Sequence, residues 1–385
     1  MRNEKFLKTG GKNEKQRNVS ILVLFLMLIV SFGFWILISS VLPIMSDFEN
    51  NLWRPSYLLL QGMSPYNTHV MFEGLHPIWF PVIIALFLPL GALPIQIASN
   101  IWFLIGLMTL FTIIVILARR VNVPSIIFAL MAVAIGFFPS TLTHFSLGQV
   151  SLLVSLLLVI LSVYYQKFNP SLIGLLLALS LVKPQLIVIF FPTFITVLWR
   201  RDGARKVFKV MFYTLIWFFL LTLPLFILYP NWIPDFVQNL LNNPNWAYPT
   251  PYSFLRASLS SNLIIFGLAG VYLLFGIGLA IKLSYRLGRL EALLWSMALT
   301  PVFSPMVWSW DFVMMYPLLL YLAFDRKCKV ASNIVIIGFG ICLTLFVVMK
   351  NQGYINDKFA VWVPLFLTAT MLISMTYRRK CVPTY

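Results

Sequence analysis

Long apolar runs separated by short polar segments make up most of the chain after its first 20 residues. Many of these runs approach the roughly 20 residues that an α-helix needs to cross a bilayer core. The pattern predicts an all-α polytopic membrane protein with about twelve transmembrane helices. The predicted spans are residues 20–42, 98–118, 122–138, 149–165, 171–182, 186–199, 207–229, 260–281, 291–304, 312–324, 330–349 and 359–376.

The positive charges lie between these runs. Of the 28 Lys and Arg residues, 23 fall in short blocks at residues 2–17, 119–120, 167, 200–209, 282–289, 326–329 and 378–380. Segments rich in Lys and Arg stay in the cytoplasm, and the predicted spans separate successive blocks by an even number of crossings. We therefore expect a single membrane domain, residues 20–376, between a basic cytoplasmic N-terminus (1–19) and a cytoplasmic tail (377–385).

One apolar segment, residues 77–92, does not fit this count. A span there would move the next basic blocks to the outer side, and three prolines interrupt it. We therefore expect an exoplasmic juxtamembrane or re-entrant helix inside a first exoplasmic loop, residues 43–97. Residues 230–259 are expected to form a second large exoplasmic loop.

Composition narrows the function classes. The chain is 60% hydrophobic and only 10% charged, whereas soluble domains are about 45–50% apolar. The net charge of +17 follows the predicted topology, so nucleic acid is not expected as a partner, whereas membrane lipids are. No metal-ligand spacing, Gly-rich phosphate loop or catalytic-triad motif is present, which predicts neither a metal nor a cofactor. The three cysteines show no metal spacing, and no disulfide is expected.

Ionisable residues on the predicted outer side are the candidates for chemistry. Asp47 follows the first span and is either a solvated cap or a general base in an outward cavity. Lys183 interrupts an apolar run, so it either faces a cavity or binds an anion such as a phosphate. Arg256 follows a loop rich in aromatic residues and proline; it either extends to the interface or binds an anion bidentately.

Aromatic and histidine side chains also gather on this side. All three histidines of the protein, His69, His76 and His144, belong to predicted exoplasmic segments. Outer aromatic residues such as Trp308 either form an interfacial belt or stack on sugar rings.

Six short motifs, taken in order, resemble glycosyltransferase family 87, the polyprenyl-phosphate-sugar-dependent membrane transferases of the GT-C class. Each is weak alone, but together they cover most of residues 45–320. They are Asp47 after the first helix, the Gly-x-x-Pro-Tyr element in Leu60–Tyr66, His76–Pro81, Leu147–Ser151, the stretch from Gly174 to Lys183-Pro184, and Ser304–Asp311.

The sequence departs from the family pattern at two places. His76-Pro77-Ile78 lacks a second consecutive proline, and Trp310-Asp311 stands where some members carry histidine. A histidine-dependent role at the second place is therefore not expected, and Asp311 would take over the positioning of donor or acceptor.

The resemblance implies a GT-C-like helical bundle in a bacterial plasma membrane, with the active site on the exoplasmic face. A hexose, with mannose as the first candidate, would pass from a polyprenyl-phosphate donor to a glycolipid or cell-envelope acceptor. Asp47 would accept the acceptor's proton in an inverting displacement, while Lys183 and Arg256 would bind the donor phosphate. The expected sugar and acceptor pocket comprises Glu49, Tyr66, His76, His144, Gln149, Trp308 and Asp311.

Two other functions remain open on the sequence. A polytopic transporter or flippase would line a path with its intramembrane charges, and here the charges lie mainly on one side. A non-catalytic cell-envelope assembly protein that has kept the fold would tolerate the loss of Asp47.

Overall fold

The computed structural model describes residues 44–67, 78–121, 125–242, 249–259, 262–324, 328–351 and 360–381, and the regular elements in these ranges are all helical. The α-helices are α1 (Arg54–Leu60), α2 (Pro81–Gly91), α3 (Ile95–Val121), α4 (Ser125–Gly136), α5 (Pro139–Leu147), α6 (Ser151–Tyr164), α7 (Pro170–Ser180), α8 (Phe190–Leu228), α9 (Trp232–Leu241), α10 (Pro251–Ser258), α11 (Asn262–Arg286), α12 (Arg289–Phe303), α13 (Tyr316–Ala323), α14 (Lys329–Asn351) and α15 (Trp362–Cys381). A π-helical turn (Phe48–Trp53) precedes α1, and 3-10 turns occupy Tyr165–Lys167, Pro184–Leu186 and Ser309–Met315.

Four of the described helices, α3, α8, α11 and α14, are long and apolar enough to cross a membrane. Helices α4 and α5 together add a fifth candidate if the pair, which is bent by 54°, counts as one span. The chain is thus a multi-pass membrane protein, but the prediction of about twelve spans is wrong for the part that the structure describes. The predicted span 20–42 lies outside the described residues.

Short apolar helices that pack inside the protein account for most of the excess, and α15, which corresponds to the predicted span 359–376, is not among the candidate spans either. Helix α12 has 15 residues, and the twelve from Glu291 to Val302 are all buried. A helix that is apolar on every side can be surrounded by lipid or by protein, and hydropathy does not separate the two cases. Helices α6 and α7, together with the Ser309–Ala323 segment, are likewise apolar but short.

The segment predicted as a juxtamembrane or re-entrant helix forms α2. Its 11 residues rise about 16 Å, roughly half of a bilayer core, so it cannot span. It packs closely on α1, where the Ser56 hydroxyl donates a hydrogen bond to the Ile84 carbonyl at 2.9 Å. The close approach extends to Gly91, where a Cβ would lie 2.9 Å from the Ser56 Cβ.

The predicted spans 186–199 and 207–229 correspond to the two arms of α8, which lie on either side of Gly203. Gly203 has φ +80°, in the left-handed region that favours glycine, so the two arms of α8 meet at a kink. The second arm packs on α7 at Gly174, where a Cβ would meet the Thr214 nitrogen at 2.8 Å. Glycine is therefore required for the two helices to approach so closely.

Cys328 and Cys381 are joined by a disulfide, with their Cα atoms 5.7 Å apart. The expectation of no disulfide is therefore wrong. The two cysteines are separated by 53 residues, and only the packing of α14 on α15 brings them together. Cys342 is buried and free.

Candidate functional site

Breaks between short helices bring the polar residues of the candidate site together. Helix α5 ends at Gly148, whose φ of +75° turns the chain into Gln149. Lys183 stands in the break between α7 and the 3-10 turn at Pro184–Leu186. Asp311 lies within the 3-10 turn Ser309–Met315 that precedes α13. Because all three residues lie outside the α-helices, their side chains can converge from three separate parts of the chain.

Lys183 and Asp311 form a buried ion pair. The Lys183 Nζ lies 2.5 Å from the Asp311 Oδ1, and the two side chains are 2% and 0% exposed. The Lys183 ammonium also donates to the Ser151 hydroxyl at 3.1 Å and to the Gln149 Oε1 at 3.3 Å. An ammonium has three N–H donors, so each of them has a partner here.

Asp311 is held from two further directions. The Ser151 hydroxyl donates to its Oδ1 at 2.5 Å, and the Trp308 amide donates to its Oδ2 at 3.0 Å. The Trp308 ring stacks on the Trp310 ring with centroids 5.0 Å apart. A buried carboxylate needs this number of donors to offset its lost hydration.

Asp47 joins the network through Gln149, whose Nε2 donates to the Asp47 Oδ2. Asp47 precedes the π-helical turn and lies outside the candidate spans. Burial raises the pKa of this carboxyl, whereas the Gln149 hydrogen bond and the Lys183 charge act in the opposite direction. Asp47 is therefore a stronger base than an exposed aspartate.

The Asp47 segment sits on Gly148. A Cβ at Gly148 would lie 2.7 Å from the Phe48 Cβ and 3.0 Å from the Met45 Cβ. The Gly148 carbonyl accepts a hydrogen bond from the Trp102 indole at 2.8 Å, which fixes this corner to α3. The same residue thus turns the chain toward Gln149 and leaves room for the segment that carries Asp47.

The structure brings four predicted site residues into this network: Asp47, Gln149, Lys183 and Asp311. Trp308 contributes its backbone amide. His144 lies in α5 one turn before Gly148 and is buried, and its Nδ1 has no hydrogen-bond partner in the described part of the chain. Ser151 was missed as a site residue, although it belongs to the Leu147–Ser151 motif, which is the signal that could have identified it.

Other predicted site residues lie apart from the network. Glu49 pairs with Arg54 at 2.8 Å, and half-buried Arg256 lies on α10, which packs on α11. Among the described residues, none of the hydrogen bonds and ion pairs of the network involves Arg256. His76 lies outside the described residues.

Tyr66 belongs to a second polar cluster, which was not predicted. Its hydroxyl donates to the Trp79 carbonyl at 3.1 Å, and burial raises its pKa. In the same cluster, Asp235 accepts hydrogen bonds from Ser64 and from the Tyr229 hydroxyl. The Ser64–Asp235 hydrogen bond joins the first predicted exoplasmic loop to the second.

Metal ligands do not cluster within the ranges that the structure describes: no group of three His, Cys, Asp or Glu side chains is placed to hold an ion. The arrangement can instead accept a proton at Asp47 and keep that carboxylate tied to a buried ion pair.

Fold and site together define a multi-pass, all-helical membrane protein with a buried network of ionisable groups. A sequence model of glycosyltransferase family 87 matches residues 80–305. This match covers more than half of the chain, so the protein belongs to glycosyltransferase family 87 and is a transferase. Within the matched range lie Gln149, Lys183 and Arg256, whereas Asp47 precedes it and Asp311 follows it. No curated protein matches the chain.

Proposed function

We propose that this membrane glycosyltransferase moves a hexose, with mannose the first candidate, from a polyprenyl-phosphate donor to a glycolipid or cell-envelope acceptor. The reaction would take place on the exoplasmic face of a bacterial plasma membrane. The observation that supports this proposal most strongly is the chain of contacts from Asp47 through Gln149 to the buried Lys183–Asp311 pair. It places a carboxylate base and the ion-paired Lys183 ammonium in the same site.

Asp47 is the proposed general base. The acceptor hydroxyl attacks the anomeric carbon of the sugar, the carbon–oxygen bond to the polyprenyl phosphate breaks, and the hydroxyl proton passes to Asp47. A phosphate leaves with its negative charge and needs no proton, so one carboxylate is sufficient. The raised pKa of Asp47 favours proton uptake once the new bond begins to form.

Lys183 and Arg256 are the proposed ligands of the donor phosphate. Because all three Lys183 donors are occupied, a phosphate that binds this ammonium has to displace one acceptor. The Gln149 contact, at 3.3 Å, is the longest of the three. Arg256 lies on the short helix α10, and its planar guanidinium suits bidentate contact with a phosphate.

The remaining predicted pocket residues have supporting roles in this proposal. Trp308 stacks on Trp310, which was not among the predicted pocket residues, and the two rings beside Asp311 offer a surface on which a sugar ring can pack. Glu49, Tyr66, His76 and His144 are proposed to shape the space for the sugar and the acceptor.

The test is a transfer assay on the purified protein in nanodiscs. A panel of polyprenyl-phosphate hexoses would be incubated with membrane lipid extract, and products would be identified by mass spectrometry. We expect one hexose to be transferred, with no product from the same hexoses supplied as nucleotide sugars. Transfer from nucleotide sugars but not from polyprenyl phosphates would contradict the proposed donor class.

A further inference from the structure

A cavity of about 290 Å³ lies at the end of the protein away from the Lys183–Asp311 network. Its wall includes Arg120 of α3, Tyr165 at the end of α6, and Arg289 and Glu291 at the start of α12. The proposed glycosyl transfer uses none of these residues.

Helix lengths place the cavity far from the network. Ser151, a network residue, begins α6, and Tyr165 follows its last residue, so the two are about 21 Å apart along the helix axis. On α3, Trp102 bonds to Gly148 beside the network, whereas Arg120 lies about 27 Å farther along the helix. The cavity and the network therefore occupy opposite ends of the same helices.

The cavity carries excess positive charge. Arg378 pairs with Glu291 at 2.5 Å and neutralises the acidic residue in the wall. Arg120 donates to the Val163 carbonyl at 3.2 Å and its guanidinium lies over the Tyr164 ring, 5.6 Å from the centroid, and Arg289 is exposed. Neither Arg120 nor Arg289 pairs with a carboxylate in the described ranges, so both can bind an anion.

Two residues that line the cavity each have a buried polar atom without a hydrogen-bond partner among the described residues. These atoms are the Glu291 Oε1 and the Tyr165 hydroxyl. Glu291 has a side chain only 8% exposed, and Tyr165 is 1% exposed. Buried polar atoms are nearly always hydrogen-bonded, because leaving one unpaired costs about 1–3 kcal/mol. The carboxylate oxygen requires a donor, and the phenol can donate to an anion.

The position of the cavity along the spanning helix α3 indicates a lipid ligand. Arg120 lies in the last turn of α3, which is one of the helices that can span the bilayer. The end of a spanning helix lies at the level of the lipid head groups, where basic pockets bind anionic lipids.

We propose that this cavity binds a phosphate ester that carries a free hydroxyl, presented as the head group of a glycerol-type anionic phospholipid. Arg120, Arg289 and the Tyr165 hydroxyl contact the phosphate. The head-group hydroxyl donates to the Glu291 Oε1. The volume is suited to a head group, because ligand pockets for whole drug-sized molecules begin near 300 Å³.

Native mass spectrometry of the full-length protein tests this proposal. The lipids are phosphatidylglycerol, phosphatidic acid, which lacks the head-group hydroxyl, and phosphatidylcholine, which is zwitterionic. The wild-type protein is expected to retain phosphatidylglycerol about tenfold better than either of the other two, the equivalent of about 1.4 kcal/mol. The Arg120→Gln/Arg289→Gln variant is expected to lose this preference.

The matched control is Lys282→Gln/Arg286→Gln, which removes the same charge from α11 outside the cavity wall. It should retain the wild-type preference. An equal loss in this control, or a wild-type preference in the cavity variant, would overturn the site. Equal retention of phosphatidic acid and phosphatidylglycerol would overturn the role of the hydroxyl.

Thermal unfolding in the presence of glycerol 3-phosphate distinguishes a site for a soluble ester from a site for a lipid. We expect no stabilisation of the wild-type protein by millimolar glycerol 3-phosphate. Stabilisation that depends on Arg120 and Arg289, without any lipid preference, would assign the site to a soluble ligand and overturn the lipid assignment.

Discussion

Lys183 and Asp311 pair at 2.5 Å although 128 residues separate them in the chain, and both side chains are almost completely excluded from solvent. Breaking such a pair leaves one buried charge without a counter-charge, which typically costs about 3–5 kcal/mol. Replacing both charges with apolar groups of similar size avoids that penalty. The pair is therefore a sensitive point for stability as well as for the site.

We expect Lys183→Met to lower the free energy of unfolding by about 3–5 kcal/mol, because Asp311 then remains buried and unpaired. The double variant Lys183→Met/Asp311→Leu should regain most of this loss. Thermal unfolding of the purified proteins in detergent measures both effects. If Lys183→Met unfolds at the wild-type temperature, Lys183 and Asp311 do not form the buried ion pair.

Gln149→Leu tests the contact that holds Asp47. Burial already raises the Asp47 pKa, and the Gln149 hydrogen bond is one of the two influences that lower it. In the proposed mechanism transfer requires deprotonated Asp47, so activity is expected to fall as the pH drops through this pKa. Without the Gln149 donor the pKa rises further, and the acidic limb of the pH–rate profile should move to higher pH.

The control for this profile is Gln61→Leu, since Gln61 is exposed and Asp47 receives its side-chain hydrogen bond from Gln149. Its acidic limb should coincide with that of the wild-type protein. A limb that stays in place or moves to lower pH in Gln149→Leu would contradict the assigned hydrogen bond.

Gly148→Ala should damage both stability and transfer. The residue has φ +75°, and a Cβ would lie 2.7 Å from the Phe48 Cβ. Backbone strain and steric overlap are therefore expected to lower the free energy of unfolding by about 1–3 kcal/mol. Gly278→Ala is the matched control, because it lies within α11 with no atom within 4 Å of the added Cβ. We expect the control to be neutral or slightly stabilised. Equal thermal stability of the two variants would disprove the role of Gly148.

Chemistry and motifs were sufficient to predict most of the network from the sequence. Asp47 and Lys183 were identifiable because charge is rare in an apolar chain, and Gln149 and Asp311 because they occur in recognisable motifs. Their connection was not predictable, since Gln149 contacts Asp47 across 102 residues and Ser151 contacts Asp311 across 160. Such pairings depend on how the short helices pack, and local sequence patterns do not determine this packing.

The number of spans was overpredicted for a physical reason. In α12, a core helix, Trp295 and its neighbours are buried against protein, yet they have the same hydropathy as residues facing lipid.

The rate of hexose transfer by Asp47→Asn tests the central claim most directly. This substitution keeps the size of the side chain and can still contact Gln149, but it cannot accept a proton. With the donor identified by the panel, we expect the rate to fall about 10²–10⁴-fold. Asp202→Asn, which alters a carboxylate paired with Lys206 in α8, should keep the wild-type rate. Near-normal transfer by correctly folded Asp47→Asn would contradict the assignment of Asp47 as the base.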